Sequence, residues 1–493
     1  MILLNVDKSS RIPVFRQITD RIVELVKEGT LPPGTRLPPT RVLAQRVGVN
    51  RSTVYRAYQD LWALGYIDAR PGSYSTIRRR MDIVTDGASP PGGAFDWAGV
   101  SRPRSEELHR TMCSLRDHVA APAPGVIRFS SLTADRDLGP AEELKSSIRQ
   151  VFAREGRGLL DYGDPAGYKP LRETISRRMR THGVTVGADE ILITNGSQQA
   201  VDLVLRLLTE PGSRIAIETP TYALALPLIR LHGLRIVGIP MRDNGMDLEV
   251  LERRLATDRP ALVYTIPSFH NPTGITTDQA HRERLLSLCQ ELGVPIVEDG
   301  FEEEMKYSGK VVLPIRSMDV HGSVVYLGTF SKVVFPGLRI GWIAAHRECI
   351  QRLLAIQRFT CLSLGTVGQV AVHRFCEQGL YEEHIRRVHR TYRKRMQAMI
   401  ESLRAELPRG VVRWTEPTGG YTLWVDLPGV TMDESQFMAR LCGAGVAVTP
   451  GSLFFPSRPK VISFRMSISN LTEPDIREGI RRLAGVLRPL VEV

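Results

Sequence analysis

Val324-Val-Tyr-Leu-Gly-Thr-Phe-Ser-Lys332 is the stretch on which the fold turns. Residues 324–327 are a short apolar run stopped by Gly328, the pattern of a buried strand. Lys332 stands just beyond the strand's carboxyl end, where open α/β sheets place their ligands. Reading outward, further strand-like runs occur at 191–194, 214–218, 261–266 and 295–298, with helical stretches such as 198–208 and 279–292 between them. This alternation predicts a doubly wound α/β sheet. Polar residues follow several of the runs. Asn271-Pro-Thr-Gly274 comes after Ile266, Asp299 directly after Pro295-Ile-Val-Glu298, and Arg339 seven residues after Lys332. Ile191-Leu-Ile-Thr-Asn-Gly-Ser-Gln-Gln-Ala200 reads as strand, small-residue turn and helix start. The amides of Gly196, Ser197 and Gln198 would there be free to hold a phosphate.

Taken singly, each of these residues has an ordinary role: a lysine is a solvated charge, an aspartate after a strand is a cap, a glycine makes a turn. Together they describe one chemistry. A lysine amine forms a Schiff base with a carbonyl cofactor. A carboxylate keeps a pyridine nitrogen protonated and so maintains an electron sink. These are a protein's tasks around pyridoxal 5'-phosphate.

The segments Tyr162-Gly-Asp-Pro-Ala-Gly167, Asn195-Gly-Ser-Gln198, Thr219-Pro-Thr-Tyr222, Asn271-Pro-Thr-Gly274, Asp299, Thr329-Phe-Ser-Lys332, Pro336-Gly-Leu-Arg-Ile-Gly341 and Arg465 resemble fold-type I aminotransferases over residues 125–490. The resemblance implies that Lys332 forms the internal aldimine and that Asp299 pairs with the pyridine nitrogen. It implies Asn271 on the phenolic oxygen, Tyr222 stacked on the ring, and Ser197, Gln198, Thr329 and Arg339 on the phosphate. It further implies Tyr162 at a partner subunit's phosphate and Arg465 as a bidentate clamp on a ligand carboxylate. One departure stands out. Two or three residues after the aspartate the family commonly carries a tyrosine; Asp299-Gly-Phe-Glu302 supplies Phe301 instead.

The charge of the 493-residue chain points to a second activity. Residues 1–80 hold 14 Lys and Arg against 6 Asp and Glu, a net of +8 out of +12; the other 413 residues carry only +4. A basic N-terminal module is the footprint of a polyanion-binding unit. Ile18, Ile22, Leu25 and Val26 fall at helical spacing over 14–28, before Gly29 and the Pro32-Pro33-Gly34 turn. A short helix follows from about Pro39, with Val42, Leu43 and Val47 inward. Gly48-Val49-Asn50 breaks it, and Asn50 caps a third helix over 51–64 with Val54, Ala57, Tyr58 and Leu61 on one face. Residues 66–69 and 73–77 read as two short strands around Arg70-Pro71-Gly72. Three helices and a hairpin predict a winged helix-turn-helix whose recognition helix enters the major groove. The alternative is a helical protein-interaction module with a solvated arginine face.

Leu31-Pro-Pro-Gly-Thr-Arg-Leu-Pro-Pro-Thr-Arg41, Leu43-Ala44, Val49-Asn-Arg-Ser-Thr-Val-Tyr-Arg-Ala-Tyr58, Leu61 and Gly65 resemble the winged-helix domain of the GntR family. By that resemblance Arg41, Arg51, Ser52, Thr53, Arg56, Arg70 and Gly72 contact double-stranded operator DNA. Tyr74 replaces the second glycine of the family's wing. The whole chain then resembles the MocR/GabR subfamily. Its expected organisation is a winged helix over 1–78, a Pro/Gly-rich linker over 79–124 with a helix at 106–119, and an aminotransferase-like effector domain over 125–493; the alternative for the linker is that part of it packs on the large domain. The resemblance implies a homodimer and a regulator that senses an amino-acid-like amine, or pyridoxal phosphate itself. The rival reading is a working aminotransferase with an accessory DNA-binding domain; a third is a DNA-binding protein with a dead, cofactor-free domain.

Composition excludes other classes. No run reaches the about 18 apolar residues of a transmembrane helix, and the N-terminus does not read as a signal peptide. The six scattered cysteines form no C-x-x-C pair, so neither a zinc site nor a disulfide framework is expected. No internal repeat occurs at a period of 20–50 residues. A reducing cytoplasm is the expected compartment.

Overall fold

A computed structural model describes residues 4–68, 74–78, 96–119, 125–407 and 411–491, and the chain divides into two compact units, Met1–Val100 and Ser101–Val493. In the first, helices α1 (Val14–Lys27), α2 (Thr40–Val47) and α3 (Arg51–Ala63) precede strands β1 (Ile67–Asp68) and β2 (Thr76–Ile77). Gly48 ends α2 in the left-handed region, φ +68°, which glycine enters without a Cβ penalty. Asn50 then caps α3 by accepting from the Ser52 amide at 3.1 Å. Ile18, Ile22, Leu43, Val54, Ala57, Leu61, Ile67 and Ile77 make one small core. The hairpin has an edge that the sequence reading took only as part of a loop. Leu37 donates to Ser75 O and Ile77 to Thr35 O, so the chain after the Pro-Pro-Gly turn pairs with β2. Arg70 and Gly72, assigned to DNA by resemblance, lie outside the described residues.

The second unit is built on an eight-stranded sheet. Its spatial order is Ile191–Thr194, Gly341–Ala344, Val324–Thr329, Ile296–Asp299, Val263–Thr265, Arg214–Thr219, Arg235–Arg242, Gly245–Met246. The four strands from 324–329 through 214–219 pair in parallel with their neighbours, and 235–242 joins them in parallel too. Gly341–Ala344 runs antiparallel between 191–194 and 324–329. The physical reason is connection length. Only eleven residues separate Thr329 from Gly341, too few for the crossover helix that a parallel return requires. A second, antiparallel sheet of Arg413–Trp414, Thr422–Leu427, Ile462–Ser467 and Thr449–Pro450 packs into the largest core cluster with the 27-residue helix Leu380–Glu406 and the C-terminal helix Glu473–Val491. The helix Pro103–Val119 falls within the stretch read as linker. It packs on the Ala225–Leu231 helix, with Glu107 4.0 Å from Arg230.

Candidate functional site

Strand ends of the large sheet deliver most of the residues. Asp299 ends the 296–299 strand and is buried. Its Oδ2 accepts from the Tyr264 hydroxyl at 2.7 Å, while its Oδ1 is buried without a partner. Burial pushes the Asp299 carboxyl up to about 6, the Tyr264 hydroxyl and the Phe301 amide opposing. A buried acceptor held on one side and free on the other suits a cationic N–H donor. Phe301 carries no polar atom here and packs in the apolar cluster beneath the sheet.

Lys332 is half-buried and donates from Nζ to the backbone oxygen of Leu132 at 2.6 Å. Its own carbonyl accepts from the Tyr421 hydroxyl at 2.6 Å. Burial pushes the Lys332 amine down; Glu302 pulls it back, and Arg465 and Arg339 lower it further. Glu302 is fully buried, takes the Tyr421 amide at 3.2 Å on Oε2, and leaves Oε1 without a partner. Burial pushes the Glu302 carboxyl up, with Lys332 the strongest opposing charge.

Arg465 sits on the Ile462–Ser467 strand. It donates from one terminal nitrogen to Asn271 Oδ1 at 3.0 Å, and from the other to Ser130 O and Thr449 Oγ1, both at 3.2 Å. Its Nε is buried and unpartnered. Burial pushes Arg465 down to about 10, Glu302 opposing. Tyr222 feels Asp299, Arg465 and Arg339 together. Burial pushes its hydroxyl up to about 12, Asp299 adding to the rise and the two arginines countering it.

The phosphate-type cradle is at the start of the Ser197–Leu208 helix, whose first amides have no intrahelical partner. Gly196 has φ +80°, and a Cβ there would lie 2.7 Å from an Arg339 terminal nitrogen. Arg339 itself adopts a left-handed backbone, φ +51°, closing the Pro336–Leu338 turn, and donates to Asn195 O at 2.8 Å. The side chain of Gln198 donates to Leu224 O at 3.2 Å and keeps Oε1 buried and free. Thr329 turns its hydroxyl to Ile340 O at 3.2 Å. Ser331 Oγ, one residue before Lys332, is buried without a partner.

Lys332, Asp299, Asn271, Tyr222, Arg339 and Arg465 thus form one connected site. Tyr162 stands apart, 84% exposed, on the rim of a 670 Å³ cavity that Asn195 and Arg339 also line. Sequence reasoning did not single out Tyr264, Glu302 or Ser331. Tyr264 was readable only as a polar tip in an apolar strand, and Glu302 only as an acid three residues after Asp299. The residues present fit pyridoxal phosphate. They combine free buried oxygens on Asp299 and Glu302, an amine biased toward its neutral form, and an anion cradle flanked by Arg339.

In the N-terminal unit Arg41, Arg51, Ser52 and Arg56 are exposed and Thr53 is half-buried, all in α2 or α3. The Ser52 hydroxyl turns to Asn50 at 3.1 Å, and the Arg56 guanidinium lies 4.0 Å from the centre of the Phe15 ring. Among the described residues no helix is long and apolar enough to cross a membrane.

Comparison with known proteins agrees with both halves. The family model for aminotransferase class I and II matches residues 127–483, and that for bacterial regulatory proteins of the gntR family matches residues 15–77. YisV of Bacillus subtilis, named as an uncharacterized HTH-type transcriptional regulator, is 31% identical over 98% of both chains. Aromatic-amino-acid aminotransferase 1 of Thermococcus litoralis is 37% identical over 71% of this chain and 85% of its own. The crystal structure of the α-aminoadipate aminotransferase LysN of Thermus thermophilus, complexed with N-(5'-phosphopyridoxyl)-L-leucine, superposes with a TM-score of 0.73 at 32% identity. It covers 81% of this chain and all of that one.

Proposed function

Because the chain belongs to the pyridoxal-phosphate-dependent GntR-type regulators that carry a class I and II aminotransferase domain, the MocR/GabR type, we propose that it is a cytoplasmic, homodimeric transcription regulator. It reads an amino-acid-like amine, or the cofactor itself, at Lys332. The observation that carries this reading is the convergence of Lys332, Glu302, Asp299 and Arg465 in one buried site, on a chain that also carries a DNA-binding module.

When bound, pyridoxal phosphate supplies a carbonyl that condenses with amines and a ring that withdraws electrons. Lys332 provides the amine, and its burial keeps a larger share of it neutral and nucleophilic. Asp299, held by Tyr264, presents Oδ1 to the ring nitrogen. Ser197, Gln198, Thr329, Ser331 and Arg339 would hold the phosphate, Asn271 the phenolic oxygen, and Tyr222 would lie against the ring. Arg465 takes the effector's carboxylate, exchanging its bonds to Asn271, Ser130 and Thr449 for a bidentate pair. Glu302 keeps a proton within the site, on its own Oε1 or on Lys332 Nζ, whenever the lysine amine is set free. A ligand with different affinity for two conformations shifts their populations, and α2 and α3 with them on DNA.

The test follows the cofactor and DNA binding together. Candidate amino acids are screened for a change in the visible absorbance of the loaded protein, then for a change in affinity for the DNA upstream of its own gene. A ligand that alters both supports sensing. Ligands that alter absorbance and turn over repeatedly with 2-oxoglutarate, without touching DNA affinity, support the aminotransferase reading instead.

A further inference from the structure

The large unit, with 51 Lys and Arg against 44 Asp and Glu over residues 101–493, holds a local concentration of charge. Residues 384–400, within the Leu380–Glu406 helix, hold six Lys and Arg and no Asp or Glu. The helix buries Tyr381, His384, Val388, Tyr392, Met396, Met399 and Leu403 on its inner side. Arg386, Arg390, Arg393 and Lys394 are exposed on the opposite side. Spacings of three, four and seven put these four on one face, and at 1.5 Å per residue they extend over about 12 Å.

Their neighbours on the same helix are paired: Arg387 with Glu143, Arg395 with Asp135, Arg404 with Glu416. Some exposed arginines of other surface helices pair with acids one turn away, as Arg206 with Asp202, Arg254 with Asp258 and Arg352 with Glu348. Among the described residues, none of the four has a carboxylate within salt-bridge distance. Glu382 turns to Arg178 and Glu401 to Arg477 instead, leaving Glu383 as the single acid at the stripe's end. Every exposed residue of this helix except Ala405 is polar. A membrane-surface helix or a protein docking face would carry apolar anchors among its charges. A polyphosphate needs none.

We propose that this face of the large unit is a second, sequence-independent contact for double-stranded DNA, taken through the phosphate backbone. The duplex carries one charge per about 1.7 Å, so a 12 Å face meets about seven phosphates, enough for all four cations. The winged helix in the same chain raises the local concentration of duplex, and weak added contacts gain from that tethering. The inference goes beyond ligand sensing and stands without it.

The experiment uses the full-length, cofactor-loaded protein and a random-sequence DNA duplex, with anisotropy read from about 50 to 200 mM salt, where counterion release is measurable. Changing Arg386, Arg390, Arg393 and Lys394 together to Gln should lower the slope of log affinity against log salt by about three. Affinity at the low-salt end should fall more than tenfold. Arg51→Ala in α3, measured alongside, separates this loss from that of the winged helix. Retained cofactor absorbance shows that the large unit is folded. Should the fourfold variant fail to fold, Lys394→Glu alone should still reduce the slope by about one. An unchanged slope in the folded variant overturns the proposal. So does an unchanged slope accompanied by lost binding to phosphatidylserine vesicles.

Discussion

The two units present their functional charges in opposite ways. In the winged helix Arg41, Arg51 and Arg56 are exposed around a small apolar core. In the large unit Asp299, Glu302 and Arg465 are buried, and their protonation is displaced by that burial. Exposed cations act on a polyanion at range, are screened by salt, and tolerate imprecise placement. Buried ions act only on what touches them, and each needs a counter-charge or a donor in place. The difference matches the ligands: a long, uniformly charged duplex against a small molecule recognised atom by atom.

The comparison breaks most sharply at Lys332. Lys332→Ala should abolish the visible absorbance of lysine-linked cofactor and leave the helicity of the N-terminal unit unaltered; an unchanged lysine-linked band overturns the assignment. In the other unit, Leu61→Ala removes a fully buried side chain from the small core. It should cost about 2–5 kcal/mol of the module's stability and collapse DNA binding, with cofactor absorbance intact in thermal melts. Loss of absorbance at the same temperature would mean the units do not unfold separately.

Arg51→Ala should weaken operator binding by about 1–3 kcal/mol, seen as a shifted anisotropy titration; no shift removes Arg51 from the interface. Tyr264→Phe deletes one hydrogen bond to a buried carboxylate. Cofactor affinity, measured by equilibrium dialysis, should fall by about 1–3 kcal/mol. Unchanged affinity means the Asp299 carboxylate does not need Tyr264 to hold it.

The smallest effect is a pH shift at Glu302. Capture of added pyridoxal phosphate by apoprotein requires a neutral Lys332, so its rate rises with pH. Burial and the two arginines bring that rise to lower pH than for an exposed lysine; Glu302 works against them by favouring the ammonium. Glu302→Gln removes the opposing charge, so the rate midpoint should move lower still. A midpoint that stays in place, or rises, removes Glu302 as the counter-charge.

What the sequence disclosed divides along the same line. The three N-terminal helices were legible because their signals are local: Asn50 as a cap, Gly48 as a stop, and the 3.6-residue spacing of Ile18, Ile22 and Leu25. The strands at 191–194 and 324–329 were legible as apolar runs, and the lysine and aspartate by their place after such runs. The antiparallel strand Gly341–Ala344 was not, because its direction depends on a loop too short for a helix rather than on its own residues. Tyr264 and Glu302 were also hidden. Their significance lies in a hydrogen bond to Asp299 across 35 residues of chain and in the charge of Lys332 acting across 30, which no periodicity encodes. The basic face at 386–394 was diluted in a count taken over residues 101–493, where 51 Lys and Arg stand against 44 Asp and Glu.

Ser130 and Leu132 lie near the start of the aminotransferase-like part of the large unit, later in the chain than the Pro103–Val119 helix. Their carbonyl oxygens are moored by Arg465 and Lys332, the two side chains assigned to a ligand's carboxylate and to its amine chemistry. Any ligand that engages both casts off both moorings at once. Residues 130–132 are therefore made fast by the same two residues proposed to let go when a ligand binds.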